Sequence, residues 1–259
     1  MTAVNLKKIL NDANKKNYAV AGLVVITWED AVAYTEAADE TGIPIILQAG
    51  PSCRAFTPIS VLGKMFRHLA EQTKTPICCH LDHGFTFKDC KEGIDNGFTS
   101  VMFDGSKKPL SENIKTSKKI SNLAHKYKIS VEGEVGIVGY HNGALSQGTD
   151  LIEAKRFAQE SGVDAMAISV GNTHLQESQV AKINFDKIIE IQKLTNLPLV
   201  LHGGSGINSK MRKKISRNTS VAKFNIGTEL RITATNSLRK SYNKNNSNFD
   251  KIEIIKPSI

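Results

Sequence analysis

The chain has 259 residues, a length that suits one large domain better than several small ones. Its hydrophobic content of 40% is ordinary for a globular protein, and no apolar run approaches the roughly 18 residues of a membrane-spanning helix, so we expect no membrane contact. The N-terminal residues lack the apolar core of a signal peptide, which predicts a cytoplasmic protein.

The formal net charge of +9 raises the question of a nucleic-acid partner. A nucleic-acid footprint clusters its basic residues on one face, whereas the lysines and arginines of this chain are dispersed. The densest basic patch, which a solvated helix face explains equally well, consists of Lys210, Arg212, Lys213, Lys214 and Arg217. We therefore expect no nucleic-acid binding, and a charge that helps to attract a small anionic substrate.

The four cysteines lack the Cys-x-x-Cys spacing of a zinc-binding motif. They are Cys53, Cys78, Cys79 and Cys90. Reduced structural thiols are the expected state, in keeping with a cytosolic compartment.

Apolar stretches of strand length alternate along the chain with stretches of helical periodicity. The predicted strands are residues 18–26, 43–48, 75–84, 100–103, 129–136, 165–170, 197–201 and 221–226. The predicted helices are residues 1–17, 28–41, 59–73, 88–96, 110–126, 150–162, 185–195, 208–217 and 228 onward. Eight strands that are each followed by a helix predict an α/β fold, a (β/α)8 TIM barrel, in a single domain over residues 1–259.

Histidines stand at the ends of three predicted strands. His83 belongs to the end of the third strand, His174 follows the sixth, and His202 follows the seventh. The carboxyl ends of barrel strands open on one face, so these histidines can converge although they are far apart in sequence. Three imidazoles with an open fourth position are the ligand set of a catalytic zinc site, and Asp82 would be a general acid or base beside it.

Acidic residues at two further strand ends extend this predicted site. Asp104 follows the fourth strand, and Glu134 lies near the end of the fifth. Either could orient a zinc ligand or hold a second or displaced metal ion. His80 lies inside the third strand, where we expect it to support the ligands. The remaining histidines, on predicted helices or loops, are left out of the metal set: His68, His125 and His141.

Two short loops after strands seven and eight offer backbone N–H groups to an anion. The first contains Gly203, Gly204 and Ser205. The second contains Asn225, Ile226, Gly227 and Thr228. Such N–H groups ahead of a helix bind phosphate, and the seventh and eighth loops of barrels frequently carry that site. These seven residues are therefore the predicted substrate-binding and phosphate-binding set.

The chain resembles the class II, zinc-dependent fructose/tagatose-bisphosphate aldolase family over essentially its whole length. The motifs that carry the resemblance are HLDHG at 80–84, FDGS at 103–106, VEGEVG at 131–136, LHGGSG at 201–206 and NIGTE at 225–229. The resemblance implies zinc on His83, His174 and His202, with Asp82 as the acid or base for the C4 hydroxyl of a ketose. It also implies that the two glycine-bearing loops hold the dihydroxyacetone-phosphate half and that the chain forms a homodimer or homotetramer.

The implied reaction is that of a lyase of carbohydrate metabolism such as glycolysis. The enzyme would cleave or form a phosphorylated ketose, such as fructose or tagatose 1,6-bisphosphate, with dihydroxyacetone phosphate and an aldehyde as the products. Cleavage needs a polarised carbonyl, which a Lewis-acid metal supplies, and a base on the departing alkoxide, for which Asp82 is placed next to the ligand His83. A monovalent cation is a further cofactor that the sequence neither requires nor excludes.

Several residues depart from the family pattern around the substrate. The family has a glutamate on the loop after strand five that handles the proton at C1 of the enediolate; Asn142 stands there, with His141 as a candidate replacement. A family glycine after the strand-six histidine is replaced by Leu175, and Glu177 nearby would repel an anion. Residues 24–27 replace an Asn-bearing segment after strand one. The C-terminal helix of the family is expected to be short or missing.

These departures leave alternatives to a ketose-bisphosphate aldolase. One is an enzyme of the same fold that retained the metal and acts on a different phosphorylated or acidic sugar, by an aldol step or by isomerisation or hydrolysis; Asn142 and Leu175 favour it. The other is a non-catalytic sugar-phosphate binder, against which the intact Asp82-His83 pair speaks.

Overall fold

Eight parallel strands close into a barrel in the computed structural model, which describes residues 2–141, 143, 145–244 and 247–259. Within these residues the strands are β1 (Ala3–Val4), β2 (Val20–Val24), β3 (Ile45–Ala49), β4 (Ile77–Gly84), β5 (Ser100–Phe103), β6 (Ser130–Val135), β7 (Ala165–Ile168), β8 (Leu199–Leu201) and β9 (Val221–Ile226). The short β1 pairs with β4 and is not one of the eight barrel strands. The barrel runs in the order β4-β3-β2-β9-β8-β7-β6-β5, and β5 pairs again with β4 to close it. The predicted (β/α)8 barrel is confirmed.

Helices alternate with these strands and cover the outside of the barrel. They are α1 (Leu6–Lys15), α2 (Trp28–Thr41), α3 (Pro51–Phe56), α4 (Ile59–Gln72), α5 (Phe87–Asp95), α6 (Leu110–Lys126), α7 (Leu151–Glu160), α8 (Phe185–Gln192), α9 (Ser209–Asn218), α10 (Thr228–Lys244) and α11 (Lys251–Ile255). Short 3₁₀ turns cover Gly204–Gly206 and Lys256–Ser258. Among the described helices, none is long and apolar enough to cross a membrane.

Side chains along each barrel strand alternate between the interior of the barrel and the helical layer. On β4, Cys79 and Leu81 pack in the outer cluster beneath the helices, while Cys78 packs in the inner cluster. The period of two therefore places His80 and Asp82 inside the barrel with Cys78. Buried polar residues also lie near the carboxyl ends of β3 and β6, namely Gln48 and Glu134.

Helix α1 closes the amino-terminal end of the barrel. Its Leu6 and Leu10 are fully buried in the inner cluster, against Ile46 and Cys78 from the strands. Burial of apolar surface at about 25 cal/mol per Å² makes this plug a substantial part of the core. The carboxyl-terminal end is left as the open face, which is where barrels carry their sites.

The structure corrects two predicted elements. Residues 1–17 were predicted as one helix, but Ala3 pairs with Ile77 in a short strand, and α1 begins only after Asn5. The Asn5 side chain accepts a hydrogen bond from the backbone N–H of Lys8 at 3.0 Å, which caps the helix and fixes its start. The stretch after β3, predicted as a loop, contains α3, which begins at Pro51, a residue well suited to the first helical position.

Candidate metal centre and active site

The end of β4 is bent at His83. This residue has a left-handed backbone with φ 50°, which residues with a Cβ rarely adopt. Arg54, which lies on α3, stabilises this bend: its Nη2 donates a hydrogen bond to the carbonyl oxygen of His83 at 2.8 Å. Its Nη1 donates to the carbonyl of Ala49 at 2.6 Å and to that of Asp82. The strained backbone is therefore fixed by three hydrogen bonds from one side chain.

Three histidine rings meet at the carboxyl-terminal mouth of the barrel. The ring centroid of His83 lies 4.6 Å from that of His202 and 5.3 Å from that of His174. The rings of His174 and His202 are 5.6 Å apart. One ring nitrogen from each of the three lies within 4.8 Å of the others, close enough for all three to bind one ion. The structure thus brings together the three histidines predicted as metal ligands.

Hydrogen bonding sets the orientation of the His202 ring. Its Nε2 lies 3.1 Å from Glu132 Oε1, and because a carboxylate accepts there, Nε2 carries the hydrogen and Nδ1 keeps a lone pair. Nδ1 is buried and finds no hydrogen-bond partner among the described residues. It lies 3.3 Å from Glu134 Oε2, a carboxylate oxygen equally without a partner in that part of the chain. A bound cation would satisfy both atoms.

The second acidic residue predicted near the site contacts His83. Asp104 Oδ2 lies 2.9 Å from His83 Nδ1, and Ser106 donates to the other Asp104 oxygen from its hydroxyl at 2.6 Å. His83, Asp104 and Glu134 also form a group whose ligand atoms lie within 4.8 Å of one another. Asp104 is therefore placed to orient the His83 ring. The three residues together could hold a second or displaced metal ion.

Burial keeps most of these imidazoles neutral. Desolvation lowers the pKa of His174 and that of His80 to about 3, and it also lowers the pKa of His202. Neutral imidazole is the form that binds a metal. Burial opposes the charge on His83 as well, but the charge of Asp82 and the hydrogen bond to Asp104 outweigh it and raise the pKa of His83 to about 9. The proton on His83 offsets the negative charge of the neighbouring carboxylates. A bound metal ion would offset the same charge.

The donor set fits a divalent metal of the zinc type. Imidazole nitrogens with a nearby carboxylate are ligands that Zn²⁺ prefers. His202 is fully buried and the other two histidines are partly buried, and the buried Nδ1 of His202 is aimed at this cluster without a partner from the described chain. Burial raises the pKa of Glu134 well above its usual value, and the negative charge of the neighbouring Asp104 raises it further. A cation here would also relieve the repulsion between these two carboxylates.

Asp82 lies beside the histidines with its carboxylate held by two amides. Gln48 Nε2 donates to Oδ2 and Asn225 Nδ2 donates to Oδ1, each at 3.3 Å. The side chain is nearly buried, and burial opposes its charge, but the neighbouring His83 and Lys223 outweigh burial and hold the pKa of Asp82 well below its usual value. The structure therefore presents an ionised carboxylate, fixed in direction, next to the candidate metal ligands.

A cavity of about 350 Å³ opens above this cluster. Asp82, His83 and His174 line its floor. The residues predicted to bind phosphate that line one wall are Gly203, Ser205, Asn225, Gly227 and Thr228. The two remaining members of that set, Gly204 and Ile226, pack on each other behind the wall, since a Cβ on Gly204 would lie 2.8 Å from Ile226 Cδ1.

The two loops of this wall are tied together by one hydroxyl. Ser205 Oγ accepts from the backbone N–H of Gly227 at 3.2 Å and from that of Glu229 at 3.3 Å. Gly203 has φ 63°, and a Cβ there would lie 2.1 Å from the carbonyl oxygen of Thr173, so only glycine fits. The wall is therefore held together by Ser205 and depends on glycine at position 203.

The loop after β6 covers one side of His174. The Tyr140 ring lies over the His174 ring with centroids 5.1 Å apart, and the backbone N–H of His174 donates to Gly139 at 2.8 Å. Leu175, at the position where the resemblance expects glycine, lines the cavity with φ 56° and is half exposed. Asn142, the residue expected in place of a proton-handling glutamate, lies outside the described residues.

Sequence reasoning missed several polar residues that the fold brings to this site. They are Gln48, Arg54, Glu132, Tyr140, Lys223 and Arg231. Two signals were available: Gln48 ends an apolar strand, and Lys223 interrupts one. A polar residue within a fully buried strand indicates a partner inside the barrel, because an unpaired buried charge is costly.

Comparison with known proteins gives a consistent result. Residues 4–259 match the family described as fructose-bisphosphate aldolase class-II. A fructose-bisphosphate aldolase of Staphylococcus aureus (strain Mu50) is 35% identical, with 100% of this chain and 92% of the relative covered. A 6-phospho-5-dehydro-2-deoxy-D-gluconate aldolase of Bacillus subtilis (strain 168) is 32% identical, with 100% and 91% covered. The crystal structure of the YdjI aldolase from Escherichia coli K12 superposes with a TM-score of 0.86 at 28% identity, covering 99% of this chain and 93% of that one.

Proposed function

Since the chain belongs to the class II fructose-bisphosphate aldolase family and is a metal-dependent carbon–carbon lyase of that class, we propose that zinc bound by His83, His174 and His202 serves its aldol reaction. The observation that carries the proposal is the convergence of these three rings beside Asp82 at the carboxyl-terminal mouth of the barrel. His202 Nδ1, buried and unpartnered in the described residues, supports the assignment. Asp104 would orient His83, and Glu134 with Asp104 would offer the second or displaced metal position.

When bound, zinc supplies Lewis-acid polarisation of the carbonyl next to the bond that breaks. Asp82 takes the proton of the C4 hydroxyl as the C3–C4 bond of the ketose breaks and the C4 carbon becomes the aldehyde. The electron pair of that bond passes to the other half of the ketose, which becomes dihydroxyacetone phosphate when one proton is added at C3, so the overall reaction neither gains nor loses a proton. In the reverse direction it returns that proton to the new hydroxyl. The amides of Gln48 and Asn225 hold both carboxylate oxygens, so the group is already oriented toward the cavity before substrate arrives.

The substrate that we propose is a phosphorylated ketose, a ketose bisphosphate such as fructose or tagatose 1,6-bisphosphate. Its dihydroxyacetone-phosphate half would lie against the wall formed by Gly203, Ser205 and Thr228. The Arg231 side chain lines the same cavity, and its Nε has no hydrogen-bond partner among the described residues, so a guanidinium is available to an anion there. The relatives include a fructose-bisphosphate aldolase and an aldolase of a phosphorylated sugar acid, so both substrate classes belong in the test.

We propose a homodimer or homotetramer in the cytoplasm, with residues 1–259 forming one domain and no nucleic-acid partner. Light scattering of the purified chain measures the assembly. Assays in potassium-free and sodium-free buffers test the monovalent cation.

A coupled retro-aldol assay of the zinc-loaded protein tests the proposed function. The substrates are fructose 1,6-bisphosphate, tagatose 1,6-bisphosphate, the matching 1-phosphates and a phosphorylated sugar acid. We expect release of dihydroxyacetone phosphate from a ketose phosphate, and its loss both with a chelator and in Asp82→Ala, by ~10²–10⁴-fold in the variant. No turnover of any ketose phosphate by protein that holds zinc would contradict the proposal.

A further inference from the structure

A buried ion pair lies inside the barrel beneath the three histidines. Lys223 Nζ on β9 contacts Glu132 Oε2 on β6 at 2.7 Å, and both side chains are fully buried. A buried ion pair can often be replaced by apolar residues of similar size without loss of stability. Stability alone therefore does not account for this buried pair of charges.

The pair is connected to one candidate metal ligand. Glu132 uses its other oxygen, Oε1, to accept from His202 Nε2 at 3.1 Å. Lys223 and His202 thus divide the two oxygens of a single carboxylate between them. The hydrogen bond leaves Nδ1 as the atom of His202 that has no partner in the described chain and points at the other histidines.

Glu132 has a competing neighbour. His80 Nε2 lies 3.7 Å from Glu132 Oε2, the same oxygen that Lys223 contacts, and this nitrogen has no hydrogen-bond partner among the described residues. The other His80 nitrogen, Nδ1, contacts Ser100 Oγ at 2.9 Å. Without Lys223 the carboxylate could turn toward His80 and release the His202 ring.

The neighbouring strand clears a path for the lysine. Gly22 on β2 lies beside β9, and a Cβ there would be 3.0 Å from Lys223 Cε and 2.0 Å from Gln48 Oε1. A side chain at this position would therefore displace the Gln48 amide and press on the Lys223 side chain. The missing side chain at Gly22 allows Lys223 to extend into the barrel and Gln48 to reach Asp82.

We propose that the Lys223–Glu132 pair is a positioning device for the metal site, acting through the tautomer and orientation of His202. The inference rests on the proposed zinc site, since it assigns these residues a role toward that ion. Hydrogen-bond partners of a metal-binding histidine typically change metal affinity by ~10–100-fold when they are removed. Lys223 does not contact His83, His174 or His202 directly. It would act on His202 through Glu132.

The test compares zinc affinity, by competition with a chromophoric chelator, in four proteins: wild type, Lys223→Met, the double variant Glu132→Met with Lys223→Met, and Ile46→Ala. The double variant contains no unpaired buried charge and is expected to fold even if Lys223→Met does not. We expect both Lys223 variants to bind zinc ~10–100-fold more weakly than wild type. Co²⁺ bound in place of zinc should show an altered absorption spectrum in the same variants.

Ile46→Ala is the matched control, because Ile46 is fully buried in the barrel interior and belongs to the inner apolar cluster. It should lower the melting temperature without changing zinc affinity, which separates positioning from general destabilisation. Zinc affinity equal to wild type in the double variant, with wild type binding zinc, would overturn the positioning role and leave the proposed function standing. Wild-type protein that binds no zinc would overturn both.

Discussion

Asp82 and Leu175 line the same cavity but differ in burial and in backbone conformation. The Asp82 carboxylate is held by two side-chain amides and is nearly buried, so its direction is set before any substrate arrives. Leu175 has a left-handed backbone and a half-exposed side chain. A non-glycine residue in that conformation is strained by about 1 kcal/mol or more. The leucine side chain also narrows the cavity in front of the wall formed by the two glycine-bearing loops.

Leu175→Gly should improve substrate binding. Release of the strain is largely offset by the added freedom of glycine in the unfolded chain, so the free energy of unfolding should change by less than about 1 kcal/mol. The opened cavity should gain roughly one hydrogen bond to the phosphate, which corresponds to a KM lower by ~5-fold. Steady-state kinetics and urea unfolding measure the two effects.

Lys128→Gly is the control for Leu175→Gly. Lys128 has φ 60° on the exposed turn after α6, so the backbone effect is matched while the cavity is untouched. Its KM should equal that of wild type. A KM raised by Leu175→Gly would mean that the leucine side chain itself contacts the substrate.

The sequence predicted the three histidines because each ends an apolar run, where a polar residue is conspicuous. It did not predict the contacts inside the barrel. Glu132 and Lys223 lie within strands that are buried on both faces, and neither shows in the sequence which residue it pairs with across the interior. That pairing depends on barrel closure, in which β6 and β9 face one another only after every strand has taken its place.

At the scale of elements, α3 supports the strand end that carries His83. Its Arg54 donates to three carbonyl groups, on Ala49, Asp82 and His83, which join the end of β3 to the end of β4. The helix was missed because it has only six residues and begins with a proline after a glycine, a pattern that is also typical of a turn. Short helices have too few residues to show a period.

Arg54→Ala should destabilise the fold and loosen the metal site together. Three carbonyl oxygens lose their donor, at about 1–3 kcal/mol for each that stays buried, so we expect a loss of roughly 2–5 kcal/mol in the free energy of unfolding. Zinc affinity should fall as well, because the strained backbone of His83 is no longer held. Urea unfolding and chelator competition measure these losses.

Arg156→Ala is the matched control, since within the described part of the chain Arg156 makes only an exposed ion pair with Glu160, one helical turn away. It should change the free energy of unfolding by less than about 0.5 kcal/mol. Equal effects of the two substitutions would contradict the role assigned to Arg54.

At the scale of the whole molecule, the barrel buries all four cysteines. They are free thiols, and burial raises the pKa of Cys53 to about 11 and that of Cys78 to about 12. The thiolate is the reactive form, so the native protein should not react with an aromatic disulfide reagent at pH 8. All four thiols should react once the chain is unfolded in guanidinium. Rapid labelling of the native protein would contradict the packing described.

The barrel itself could be predicted from the alternation of eight strands with helices, because each unit is local and the parallel closure follows from repetition. Element bounds were less accurate: β1 pairs with β4 through Ala3 with Ile77 and Val4 with Cys78, contacts distant in sequence that have no local signal. The cavity wall was likewise only partly predicted. Gly204 and Ile226 belong to the predicted loops but pack behind the wall, since which face of a loop lines a cavity depends on the neighbouring loop.

We propose that one zinc ion on His83, His174 and His202 supports cleavage by Asp82. The most direct measurement is a titration of zinc into metal-free protein, with zinc content and dihydroxyacetone-phosphate release followed in the same samples. We predict that activity rises in proportion to bound zinc and stops rising at one ion per chain, and that His174→Ala neither binds zinc tightly nor gains activity. Full activity in metal-free protein, or in His174→Ala, would show that cleavage does not depend on zinc at these histidines.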